Sequence, residues 1–191
     1  IEFIKTGKGP WANLLKERKI DFSNWPLPAK SPVDYLDQLK ILDKKTLAVH
    51  LLQAARFDMD ILAERGASVA VCPRSNRRLH GRRPNIPKMM ARGLNICLGT
   101  DSLASCDSLS VFDEMAEIGL NYPMLSPKQI LSMATTNGAD ALGLGTECGR
   151  LAPGYHFAPL YMSLSITSPK HLLDEIVSNP SNENIKLFCN G

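Results

Sequence analysis

Three short apolar runs, "TLAVH" (46–50), "ASVAVC" (67–72) and "LNICLGT" (94–100), constrain the fold more than any other feature of the chain. Each is rich in β-branched or small apolar residues and too short for a buried helix, so each reads as a strand. None alternates cleanly with polar residues, which means that both faces of each strand are covered. Between them lie stretches with helical spacing. "RFDMDILAERG" (56–66) sets Phe57, Ile61 and Leu62 on one face and offers Gly66 as a stop. "NIPKMMARG" (85–93) reads as a short helix that also ends in Gly. Strand, helix and strand in succession is the pattern of right-handed βαβ units, so the chain is α/β with a parallel sheet.

The flanks extend the alternation. "SPVDYLDQLKIL" (31–42) opens with Ser31 as N-cap, Pro32 at the first helical position and Asp34 in the first turn. "SLSVFDEMAEIGL" (108–120) is an amphipathic helix, with "DEM" (113–115) expected on an exposed face at its start. "SPKQILSMATTNGADALGL" (126–144) reads as one helix, opened by Ser126, Pro127 and Gln129. Met89, Met90, Met115 and Met133 fall on helices and are expected in the core. "GKGP" (7–10) lacks the Lys-Ser/Thr ending of a phosphate loop and reads as a turn. After residue 145 the character changes: "GRLAPGYHFAPLYMSLS" and "NIKLFCNG" look extended, on either side of the helix "SPKHLLDEIVS". The expected division is 1–149 for the strand–helix unit and 150–191 for part of a β-rich one.

Composition removes several function classes. A chain of 191 residues with 44% apolar content can bury one substantial core. A formal charge of +3 is too small to imply nucleic acid, and no apolar run approaches the roughly 20 residues of a membrane span. Arg74, Arg77, Arg78, Arg82 and Arg83 crowd a stretch read as a loop, beside His80. Few aromatics interleave them to stack bases, so a solvated loop or a contact to an anionic substrate is favoured over nucleic acid. The five cysteines, an odd number without a CxxC pair, suit a reducing cytoplasm rather than a disulfide framework or zinc ribbon. The opening "IEFIKTGKGPW" shows neither an initiator Met nor a signal-peptide pattern, as if the chain began in mid-sequence.

Sites in parallel α/β folds form where the carboxyl ends of strands meet the following loops. All three strands carry chemistry there. The first ends in His50, the second runs into "CPRSN" (72–76), and the third runs into Asp101. Singly, His50 suits a core or capping position and Asp101 a turn. Three such ends in a row, on one face, point to a site. A neutral imidazole can ligate a metal or hydrogen-bond a substrate. A carboxylate can bind zinc and accept the proton of a metal-bound water. Ser75 and Asn76 could orient substrate or brace the segment that Pro73 stiffens.

Together, "LAVHLLQA", "GASVAVCPRSNRRL", "GLNICLGTDSLAS" and "DSLSVFDEM" resemble the amidohydrolase superfamily, in its cytosine-deaminase-like and chlorohydrolase-like branch, near the adenosine-type and aminofutalosine-type deaminases. The likeness extends over about residues 7–160, from "GKGPWANLL" to "GRLAPG". It implies a (β/α)8 TIM barrel with a flanking β-sandwich, of which this chain would supply about strands six to eight and the C-terminal piece of the sandwich. It implies hydrolysis of a C–N bond of a small heterocycle, most simply deamination of an adenine-bearing nucleoside, by a metal-activated water. Asp101 matches the metal-binding Asp after the eighth strand, which also serves as general base. His50 matches the sixth-strand His that contacts substrate. Arg74, Ser75, Asn76 and Ser102 are expected to meet the substrate.

The same resemblance implies one divalent metal: zinc, with iron or manganese as alternatives. The superfamily's His-x-His pair and fifth-strand His do not occur in these residues, and His80, His156 and His171 sit at no strand end. The expectation is therefore a C-terminal portion of a longer enzyme, inactive and weak in metal when alone, with exposed sheet edges that could drive self-association. Gln53 stands where many relatives have a second His, Cys106 where they commonly have Asn, and "HFAPLYM" where the chain usually re-enters the sandwich through Ala-Asp. Two readings of other classes stay open: a non-catalytic α/β module that binds a partner, and a small α/β enzyme using Asp101 and His50 without metal. Chlorohydrolase chemistry stands beside deamination within the family.

Overall fold

A computed structural model describes residues 1–156, 159–164, 168–178 and 185–187. In chain order the elements are α1 (Glu2–Thr6), α2 (Pro10–Glu17), α3 (Pro32–Gln38), β1 (Leu47–Val49), α4 (Arg56–Glu64), β2 (Ser68–Val71), α5 (Pro73–His80), α6 (Ile86–Met90) and β3 (Asn95–Leu98). There follow α7 (Val111–Asn121), α8 (Pro127–Ala134), α9 (Thr136–Ala141), β4 (Leu160–Met162), α10 (Leu172–Ser178) and β5 (Ile185–Leu187).

The three apolar runs form one parallel sheet in the order β1-β2-β3, with Leu47 opposite Ser68 and Val71 opposite Leu98. Parallel neighbours need a crossover, and α4 supplies the first, α5 and α6 the second. Val69, Val71 and Ile96 pack with Leu62, Met89, Met115, Ile118, Ile130 and Met133 in the main core. The alternate positions Ala70 and Cys97 face the other way and pack with Ala141. Both sheet faces are thus covered, which is why these strands read as continuous apolar runs.

Local signals set the helix ends. Ser31 Oγ accepts from Asp34 N (3.1 Å) and its hydroxyl donates to the buried Asp58. Asp58 in turn accepts from Ala55 N (2.7 Å), so one cap stitches the starts of α3 and α4 together. Gly66 and Gly93 adopt positive φ just past their helices, as the sequence suggests.

Two expectations require correction. The Arg-rich stretch is no loop: α5 begins with Pro73 in its first turn and ends at Gly81, whose φ is +59°. The single helix over 126–144 is broken in two at Thr135 (φ −129°, ψ −92°). There the Thr135 hydroxyl donates to Leu131 O (2.7 Å), the β-branched side chain competing locally with the helical ladder. The break lets Asn137 Nδ2 donate to Ile96 O (2.9 Å), while Asn95 Nδ2 donates to Asn137 O (3.0 Å), tying α9 to β3.

Past residue 150, β4 and β5 form an antiparallel pair separate from the main sheet. Between them in sequence, α10 packs on α7 and α8, and its Val177 joins the main core. The rest of "NIKLFCNG", including Cys189, and parts of "HFAPLYM" and "SLSIT" lie outside the described residues.

Candidate active site

The strand ends gather on one rim of the parallel sheet. His50 N donates to Ala70 O (2.9 Å), the last rung of the β1–β2 ladder, and the chain then turns through positive φ at His50 (+70°) and Leu51 (+49°). Non-glycine residues pay sterically for this conformation and hold it where the surroundings over-determine them, as functional sites often do. His50 Nδ1 is buried and finds no partner among the described residues. Beside it a cleft of about 620 Å³ opens toward the end of α5, lined by His50, Leu52, Gln53, Leu79, His80 and Arg82.

On the third strand, Gly99 N donates to Val71 O (2.9 Å) before Asp101 takes φ +63°. Two hydroxyls converge on one oxygen of this exposed acid: Ser75 Oγ lies 2.6 Å and Ser105 Oγ 2.9 Å from Asp101 Oδ2. Ser75 above all, and Ser105 next, hold the Asp101 carboxyl below the usual carboxylate range, with smaller help from nearby His50 and the Ser102 backbone. The acid is therefore ionised at neutral pH and leaves Oδ1 free of these hydroxyls. Ser102 opens the turn that returns Ser105 to Asp101, since Ser105 N and Cys106 N both donate to Ser102 O (2.9 and 3.0 Å). Cys106 Sγ sits 3.0–3.2 Å from the carbonyl oxygens of Thr100, Ser102 and Ser108, a buried thiol at the hub of the loop.

Behind this rim lies a charged layer that the sequence does not announce. Glu114 is fully buried, against the expectation that "DEM" opens an exposed face. Its spacing held the clue: Val111, Glu114, Met115 and Ile118 share one helical stripe, and the carboxylate occupies a core position. Glu114 Oε2 accepts from Arg74 N (3.1 Å), and burial lifts the carboxyl to about 7 against the pull of that N–H and of the Arg74 guanidinium.

The Arg74 side chain, expected to meet substrate, is turned inward. It pairs with Asp107, with Asp113 Oδ2 (3.3 Å) and with Glu114 Oε1 (3.7 Å), and only 11% of it is exposed. Arg77 and Arg83 pair with Glu117. Ser75 and Asn76 are wholly buried, and both polar atoms of the Asn76 amide lack a partner among the described residues. Burial pushes the Cys72 thiol up to about 12, with Asp101 and Glu114 adding to it, so Cys72 is no nucleophile. Of the residues that matter here, Ser105 and Glu114 escaped sequence reasoning; Ser105 had no signal beyond its polarity.

A catalytic zinc takes about three protein ligands. Among the described residues no group of three His, Cys, Asp or Glu could hold a metal ion. Asp101 and His50 offer two donors at most, so these residues do not by themselves complete such a site. What they do provide is an ionised carboxylate fixed by two hydroxyls, an imidazole close by, and a cleft beside the His50 end of β1.

Comparison with known proteins identifies the family. The amidohydrolase family model matches residues 21–191. A 5'-deoxyadenosine deaminase from Methanothermobacter thermautotrophicus is 37% identical over 131 residues, covering 65% of this chain and 30% of that protein. The chain thus spans about a third of the length of this curated relative. Among solved structures, aminofutalosine deaminase from Helicobacter pylori in complex with methylthio-coformycin matches with a TM-score of 0.76 and 25% identity, over 98% of this chain and 46% of that one. An adenosine deaminase from Xanthomonas campestris with bound zinc superposes with a TM-score of 0.76 at 24% identity, over 93% of this chain and 40% of that one. The α/β fold therefore agrees with the sequence reading, and the chain belongs to the amidohydrolase family.

Proposed function

We propose that this chain carries the C-terminal catalytic rim of an enzyme that deaminates an adenine-bearing nucleoside by hydrolysis. One observation carries the reading: at the end of β3, Asp101 is held ionised in a strained backbone conformation by Ser75 and Ser105, on the same rim as His50. In this reading Asp101 accepts the proton of the water that attacks the ring carbon bearing the amine; the C–N bond then breaks and the amine, which takes up a proton, leaves as ammonia. His50 contacts the attacking group from the neighbouring strand end. Ser75 and Ser102 fix the carboxylate and its loop, Asn76 lines the wall behind, and Arg74 acts through its carboxylate partners rather than on substrate. Support for the substrate class comes from the similarity to a 5'-deoxyadenosine deaminase and to an aminofutalosine deaminase.

The reading assigns β1, β2 and β3 to strands six, seven and eight of a TIM barrel, with a division near residue 150 and β4–β5 in a flanking sandwich. Asp101 is the carboxylate that this chain offers a divalent metal, zinc or else iron or manganese; further donors would come from outside these 191 residues. The outer edges of β1 and β3, which carry no strand among the described residues, would pair with the other barrel strands, or with a second copy. A cytoplasmic setting suits the unpaired Cys72, Cys97, Cys106 and Cys148. Among the described residues no helix is long and apolar enough to cross a membrane.

Replacing Asp101 by Asn in the full-length enzyme tests the proposal. Asn tolerates positive φ and still accepts the Ser75 hydrogen bond, so the fold should be kept. Turnover of an adenine nucleoside should fall by at least about a hundredfold, as expected for loss of a general base. Turnover within a few-fold of wild type would refute the role given to Asp101.

A further inference from the structure

A carboxylate with no exposure, on the apolar stripe of α7, needs a reason. An apolar residue of the same volume would pack there without a desolvation cost, so the contacts of Glu114 are what distinguish it from such a residue. It holds a backbone group. Arg74 N is one of the N-terminal donors of α5 that have no partner inside the helix, and Glu114 Oε2 accepts it at 3.1 Å. The next residue is Ser75, whose hydroxyl lies 2.6 Å from Asp101 Oδ2. Both residues lie in the first turn of α5, where helical φ and ψ fix one relative to the other, so holding Arg74 N holds the approach of Ser75. Meanwhile the Arg74 guanidinium joins Asp113 and Glu114 of α7 to Asp107 and Ser108 in the loop that carries Asp101. One turn of α7 thereby grips both the segment after β2 and the loop after β3.

We propose that Glu114, with Arg74, is a positioning residue that sets the Ser75 hydroxyl against Asp101 and so orients the carboxylate for proton transfer. This rests on the reading of Asp101 as the base. The brace touches no substrate. Its effect is on the chemical step, where a misplacement of about 1 Å costs roughly a hundredfold in rate.

The test is a mutant cycle in the full-length enzyme, with kcat and KM for an adenine nucleoside as readouts and circular dichroism as the folding check. Glu114→Met keeps the volume and removes the acceptor; Glu114→Gln keeps an acceptor oxygen. E114M should lower kcat by roughly 30- to 100-fold with KM within about threefold, and E114Q should restore most of kcat. In an S75A background, E114M should cost less than about threefold more, because the two residues act through one contact.

The inference is overturned if E114M keeps wild-type kcat, if E114Q is as poor as E114M, or if the E114M loss persists in full in S75A. Should E114M fail to fold, Glu114→Asp, which withdraws the carboxylate by one methylene, takes its place in the same cycle under the same criteria. The Asp101→Asn variant separates the two claims. An inactive D101N beside an unaffected E114M leaves the function standing and removes the brace. An active D101N removes the base, and the brace with it.

Discussion

Glu114 makes the stability of this fold fall as pH rises from about 4.5 to about 7. Its carboxyl is lifted from an ordinary 4.5 to about 7, chiefly by burial. Below about pH 4.5 the group carries its proton in both folded and unfolded chains. Between 4.5 and 7 the folded protein keeps a proton that the unfolded chain releases, so stability declines with rising pH and the decline is complete above 7. At about 1.4 kcal/mol per pH unit, the interval corresponds to about 3 kcal/mol. Glu114→Gln removes the titration but keeps the shape. Asp21, Asp37 and Asp101, whose carboxyls are lowered, lose their contributions only in acid below the ordinary carboxylate range, outside this window. Urea unfolding of wild type and E114Q at pH 4.5 and pH 8 is the assay. Between those two pH values the gap should move by about 3 kcal/mol in favour of E114Q, or about 1.5 M in urea midpoint for a slope near 2 kcal/mol/M. Equal pH dependence in the two proteins would refute the argument, since every other titrating group is common to both.

Two further substitutions probe the scaffold. Ile118, fully buried between α7 and the sheet, should cost about 2–5 kcal/mol when replaced by Ala, read as a lower unfolding midpoint with an unchanged denaturant slope. Gly149 has φ +89°, and a Cβ there would lie 2.7 Å from Ala139 Cβ and 3.2 Å from Thr135 O. Gly149→Ala should therefore destabilise by roughly 2 kcal/mol or more, measured in the same way, whereas Gly143→Ala meets no atom within 4 Å and should cost only the backbone strain of its positive φ, about 1 kcal/mol.

Hydrophobic spacing and helix-terminus chemistry were enough to place β1, β2 and β3 and to put His50, Ser75 and Asp101 at one rim, because strand periodicity and capping act over a few neighbouring residues. The same reasoning failed where a distant contact overrode a local tendency. Thr135 breaks a helix that its flanks would continue, and the separate α9 is held to β3 by Asn137 and Asn95. Glu114 looked like a surface acid because acids usually are, although its place on the stripe with Met115 and Ile118 pointed inward.

Sequence alone thus determined the alternation of strand and helix, the family, and the acid and imidazole on the rim. Only the tertiary structure decided what those groups touch: Ser75 meets Asp101 across 26 residues, and Arg74 meets Glu114 across 40. The free energy of a buried or hydrogen-bonded charge depends on every atom packed around it, and most of those atoms lie far away along the chain.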